Sequence, residues 1–119
     1  MPYQLDTSKK GLDMFFKPWQ TVAIHYLNRI HPEGANSREV CEAVNNKTTI
    51  SRASVINFLN AMVDNELLGY TERSGKGGYH RVYHLNYKDS ELNKHLAEHM
   101  IKKLLEDFPK ATSQILKSR

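Results

Sequence analysis

Apolar residues recur along this chain first at helical spacing, then at strand spacing, and helical spacing returns towards the end. Residues 1–12 follow neither period and are expected to form a flexible leader. From Pro18 onward, Trp19, Val22, Ala23, Tyr26, Leu27 and Ile30 fall on one stripe at i, i+3, i+4, i+7, i+8 and i+11, which predicts a first helix. Proline suits its first position, where a missing N–H costs nothing, and "HPEG" stops it. A short second helix is expected over "SREVCEAVNN", with Asn36 as its cap, Glu39 three residues on completing a capping box, and Val40, Ala43 and Val44 as its buried face. The third helix has the best-defined start: Ser51 is a strong N-cap, and Ile50 and Val55 have staple spacing around it. Val55, Ile56, Leu59, Met62 and Val63 share one side of it. Ala53, Asn57, Asn60, Ala61 and Asp64 share the other, with Ser54 at the edge and Gly69 just past the helix end.

Two strand-like runs follow, "LLGYTERS" and "YHRVYHLNY", joined by "GKGG", the pattern of a glycine-tipped hairpin. A fourth helix then carries Leu92, Leu96, Ala97, Met100, Ile101, Leu104, Leu105 and Phe108 on a broad stripe. Asp89 or Ser90 is its expected cap and Pro109 its end, with a short tail beyond. The order helix, short helix, capped helix, hairpin, helix is that of a winged helix-turn-helix. The expected fold class is mainly α with a small β-hairpin (α+β), the winged domain covering residues 13–87 and an extra C-terminal helix and tail covering 88–119.

At "ISRASVINFLNAMVDNELLGYTERSGKGGYHRVYHLN" the chain resembles the penicillinase-repressor and methicillin-repressor family of winged-helix transcription regulators, and the likeness runs from about Lys17 to Asn86. "PWQTVAIHYL", "SREVCEAV", the Ser-capped third helix and the terminal "VYHLN" carry it. The resemblance implies a repressor whose third helix enters the DNA major groove, whose wing touches the backbone or minor groove, and whose C-terminal region builds a homodimer. Two departures limit the transfer. The family's dimer region has several helices where this chain has room for one and a tail. The family's inducible Asn-Phe cleavage site is also missing there, since the only Asn-Phe pair is Asn57-Phe58, inside the third helix.

Charge adds a direction to this outline. Seventeen Lys and Arg against thirteen Asp and Glu leave a net charge of +4, a mild excess that draws polyanions without proving that one is bound. The residues placed to read double-stranded DNA are Ser51, Arg52, Ala53 and Ser54 in the first turn of the third helix, and Asn57 one turn on. Arginine can pair with guanine O6 and N7, asparagine with adenine N6 and N7, and small alanines allow close approach. In the hairpin, Arg73, Lys76, His80 and Arg81 are the candidate phosphate contacts. The alternative function is a winged-helix module that docks a protein assembly, which Asp64, Asn65 and Glu66 near the third helix would suit. RNA binding lacks the aromatic platforms that RNA-reading sheets present.

No enzyme emerges from the motifs. "SGKGG" is neither a Walker loop nor a dinucleotide fingerprint, and a strand follows it rather than a helix. "HLAEH", His95 to His99, matches a metalloprotease pattern, but such enzymes need a third ligand and a deep cleft, and both histidines sit off the apolar stripe. His80 and His84 share a strand face without further ligands. No metal and no cofactor is therefore expected. The lone Cys41 excludes an intrachain disulfide and, beside Val40 and Val44, reads as a small buried hydrophobe. No apolar run approaches the ~20 residues of a membrane span, and the start is polar, so a cytoplasmic protein is expected. The fourth helix's stripe is wider than one small domain needs. Leu92, Leu96, Met100, Ile101, Leu104, Leu105 and Phe108 are thus the expected dimer seam, which would set two third helices about one DNA turn (~34 Å) apart on a pseudo-palindromic site.

Overall fold

A computed structural model describes residues 3–75 and 78–119. It contains helices α1 (Pro18–Ile30), α2 (Ser37–Asn45) and α3 (Arg52–Asp64), strands β1 (Leu68–Gly75) and β2 (Gly78–Leu85), and helices α4 (Ser90–Asp107) and α5 (Pro109–Lys117). The chain divides into two compact units, one ending at Asn86 and the other beginning at Tyr87.

In the first unit the expected caps are in place. Asn36 Oδ1 accepts from the Glu39 N–H at 2.9 Å while Glu39 Oε1 accepts from the Asn36 N–H at 3.0 Å, a closed capping box. Ser51 Oγ accepts from the Ser54 N–H at 3.1 Å. The core is drawn from all three helices and the hairpin: Ala23, Ile24 and Leu27, Val40 and Val44, Val55, Phe58, Leu59 and Met62, then Leu67, Leu68, Tyr83 and Leu85 are all buried. Ile24 lies off the stripe expected for α1. The helix is covered on more than one side, because it packs against both α2 and β2 and the buried sector is wider than a single ridge.

β1 and β2 pair antiparallel from Leu68↔Leu85 to Gly75↔Gly78, and Ala35 adds a single bridge to Tyr83 through bonds of 2.8 and 2.9 Å. Gly34 is required beside that bridge, since a Cβ there would lie 2.5 Å from the Tyr83 carbonyl oxygen. At the hairpin tip Gly78 has φ +99°, the left-handed region that glycine enters freely.

Two expectations change in this unit. The leader is built into the fold: Tyr3 is buried with its ring edge-on to Phe15 and Phe16, the Asp6 N–H donates to Met14 O at 2.8 Å, and Gly11–Met14 forms a 3-10 turn. α3 ends at Asp64 and is closed at Glu66, so Gly69 does not lie just past the helix end. The Glu66 N–H reaches Val63 O and the Leu67 N–H reaches Met62 O, both at 3.0 Å, a Schellman motif with Glu66 at φ +65°. Gly69 lies inside β1, where its missing Cβ leaves room for the His84 ring. Because glutamate pays a left-handed strain that glycine avoids, Glu66→Gly is expected to raise stability by about 0.5–1 kcal/mol. A urea midpoint at or below wild type would refute that account of the cap.

In the second unit the expected short tail is helix α5. Proline both ends α4 and occupies the first position of α5, and the chain turns at Phe108 (φ −133°, ψ 63°). Thr112 ties the corner, its hydroxyl donating to Leu104 O at 3.1 Å. Asp89 precedes α4 at φ +53° and makes no side-chain capping bond. Leu92 and Leu96 are buried, whereas Ile101, Leu104, Phe108, Ile115 and Leu116 stay exposed, Phe108 at 62%. No helix among the described residues is long and apolar enough to cross a membrane.

Candidate nucleic-acid interface

The turn between α2 and α3 is held by one side chain. Asn45 Nδ2 donates to Cys41 O at 2.8 Å and to Ile50 O at 3.1 Å, and its Oδ1 accepts from the Ile50 N–H at 2.8 Å. This fixes where α3 starts relative to α2. Cys41 is half-buried rather than fully buried, its sulfur 3.2 Å from Asn45 Nδ2.

From that start, Arg52, Ala53, Ser54, Asn57 and Ala61 line the exposed face of α3. Ser51 and Ser54 occupy each other: besides the cap, their hydroxyls bond at 2.9 Å. Arg52 reaches across to Ser37 Oγ at 3.5 Å and lines an open groove of about 550 Å³ with Asn36, Ser37 and Arg38 of the α2 start and Gly78, Tyr79 and His80 of the wing. The N-termini of two helices and the hairpin tip therefore meet on one surface. Arg38 and Arg52 sit in the first turns of their helices, where the macrodipole favours acids and disfavours cations by ~0.3–1 kcal/mol each. An anion in the groove would offset that cost, drawing on both side chains and on the helix ends.

The wing's basic residues divide into two sets. In the strand register Arg73 faces His80, and both are exposed. Arg81 is on the opposite face and is not a free rim charge. Its guanidinium lies 4.0 Å over the Tyr70 ring and donates to Asn60 Oδ1 at 3.1 Å, and the buried Tyr83 hydroxyl donates to the same oxygen at 2.7 Å. Burial pushes the Tyr83 phenol above its usual value of 10.0, with Arg81 nearby opposing the shift, so the hydroxyl stays a donor at neutral pH. Asn60 thus ties the wing to α3. Lys76 lies outside the described residues.

Tyr79, Arg38 and Asn60 were missed as site residues. Tyr79 stands 81% exposed beside the tip, where strand propensity alone accounts for a tyrosine. Arg38 had a legible signal, a cation in the wrong place for a helix dipole. Removing the Asn60 amide strands the Tyr83 hydroxyl and Arg81, so Asn60→Ala is expected to cost about 1–3 kcal/mol of stability. If the wing's position matters for binding a polyanion, the variant also loses affinity while keeping its salt dependence, since no cation has gone. Wild-type stability and affinity together would dismiss the tie.

The histidine pattern of α4 is occupied differently. His95 stacks on Tyr87 at 4.4 Å between ring centroids and 17° between planes, and its centroid is 6.4 Å from that of His99. Among the described residues no group of three or more His, Cys, Asp or Glu side chains is placed to hold a metal ion.

No protein-family model matches the sequence, and no curated protein does. Solved structures do. A possible transcriptional regulator from Methanosarcina mazei Go1 superposes with a TM-score of 0.57 at 14% identity, over 87% of this chain and 78% of that one. A PadR-like transcription factor from Bacteroides fragilis superposes with a TM-score of 0.50 at 19% identity, over 78% of this chain and 91% of that one. With its three helices, paired hairpin and helical C-terminal elements, this chain has the winged-helix fold and shares its fold with these structures.

Proposed function

We propose that the chain is a sequence-specific regulator of transcription that binds double-stranded DNA as a homodimer, with α3 in the major groove and the wing on the backbone. The observation that carries this reading is the groove where Arg38, Arg52 and His80 converge beside an exposed α3 face of small and polar residues. The regulator descriptions of both structural neighbours support it, and the sequence resemblance to penicillinase repressors points to repression. Arg52 and Asn57 read base edges; Arg38, Arg73 and His80 hold phosphates; Ser51 and Arg81 position the reading helix and the wing.

Exposed Ile101, Leu104 and Phe108, with Ile115 and Leu116 of α5, are the surface proposed for the second copy. Selection of bound fragments from genomic DNA, followed by anisotropy titration across a salt series, tests the reading. Expected are a pseudo-palindromic site, dimeric stoichiometry and a steep fall of affinity with salt. Failure to bind any enriched fragment at low salt would overturn it. A stoichiometric protein partner that survives nuclease treatment would put the protein-docking module in its place.

A further inference from the structure

A second groove, of about 410 Å³, runs along the opposite flank of the exposed α3 face, between that face and the N-terminal segment. Ser54 and Asn57 line it from α3, and Gln4, Lys17 and Trp19 line it from the leader and the start of α1. Its geometry is held by a chain of edge-on aromatic contacts: Tyr3 to Phe16 at 5.7 Å, Phe16 to Phe58 at 6.0 Å, and Trp19 to Phe58 at 5.4 Å. Phe58 belongs to α3, so the leader is positioned by the reading helix itself. The Lys17 backbone is anchored by its N–H bond to Gln20 Oε1 at 2.9 Å, while the residue stays exposed at the rim. The described lining includes this cation and no carboxylate.

An α-helix about 10–12 Å across fills a major groove about 12 Å wide, so both phosphate strands that wall the groove come beside it. The Arg52 and His80 groove can serve one strand. We propose that the leader-side groove seats the other, with Lys17 as its phosphate contact and the Gln4 side as its outer wall. This inference rests on the DNA reading above and extends it: the N-terminal segment is part of the DNA-binding surface, and α3 is clamped from both sides.

The test uses the full chain and a labelled duplex recovered by the selection described above. Trp19 is the protein's only tryptophan, so its emission reports directly on this groove. DNA addition is expected to change Trp19 emission of the wild-type protein in step with anisotropy. Lys17→Glu is expected to weaken binding about tenfold per half-site at 0.1 M salt and to lower the salt slope by about 0.9 per half-site, and Lys17→Arg to restore both. Lys17→Gln, which leaves the exposed helix start uncharged, should fall between the two and guards against a folding defect in the glutamate variant. Unchanged affinity and slope in Lys17→Glu or Lys17→Gln, or Trp19 emission that ignores a bound duplex, would overturn the inference and leave the DNA reading standing. A wild-type protein that binds no duplex would remove both.

Discussion

Arg52→Glu is expected to lower affinity for the selected DNA by roughly 5–150-fold per half-site, the equivalent of the ~1–3 kcal/mol carried by one good arginine contact, and to flatten the salt dependence. Arg52 is exposed in the first turn of α3, and its contact to Ser37 Oγ, at 3.5 Å, is long enough to yield to a base or phosphate. The same substitution places an acid at the helix N-terminus, where the dipole favours it by ~0.3–1 kcal/mol. Thermal stability should therefore hold or rise slightly while binding collapses. That opposition separates a reading residue from a structural one, because a residue needed for folding would lose both together. Wild-type affinity in the variant would show that the α3 start does not face DNA.

Leu59→Ala on the same helix should do the reverse. Leu59 is fully buried, with 0% exposure, on the face of α3 turned away from Asn57. Removing three side-chain carbons from such a site costs the lost transfer energy plus that of the cavity, about 2–5 kcal/mol. Against the 5–15 kcal/mol that holds most domains, this is a large share. A urea melt should show a lower midpoint with an unchanged slope. Asn57→Ala, exposed one turn from the helix start, should stay within about 0.5 kcal/mol of wild type in the same melt. Should Leu59→Ala melt like wild type, the packing of α3 against the core would be misdescribed.

These two substitutions show how unevenly the interface could be read from the chain. The exposed and buried faces of α3 follow from residues three and four apart, and the Ser51 cap from its nearest neighbours, so both were legible. Arg81 was not. It reads as one more cation beside a glycine turn, yet it is held by Asn60, 21 residues away, and by the ring of Tyr70. The two positions meet only because the hairpin folds back on α3. The helix end differs for a related reason: Gly69 is expected just past it, whereas the left-handed residue is Glu66 and Gly69, inside β1, makes room for His84. Glycine's advantage in left-handed backbone is only ~1–2 kcal/mol, small enough for the tertiary packing of the chain to override.

Local order, in short, was present in the linear pattern: three helices, their caps, a glycine-tipped hairpin and an amphipathic C-terminal helix. Each depends on groups within about four residues of one another, where spacing and chemistry suffice to set the outcome. The leader's aromatic clamp, the groove shared by two helix starts and the wing, the Asn60 tie and the corner into α5 depend on side chains brought together across the fold. Tyr3 has no period to mark it and becomes core only because Phe15 and Phe16 lie beneath it. Burial and charge convergence belong to the assembled surface, and only the tertiary structure could decide them.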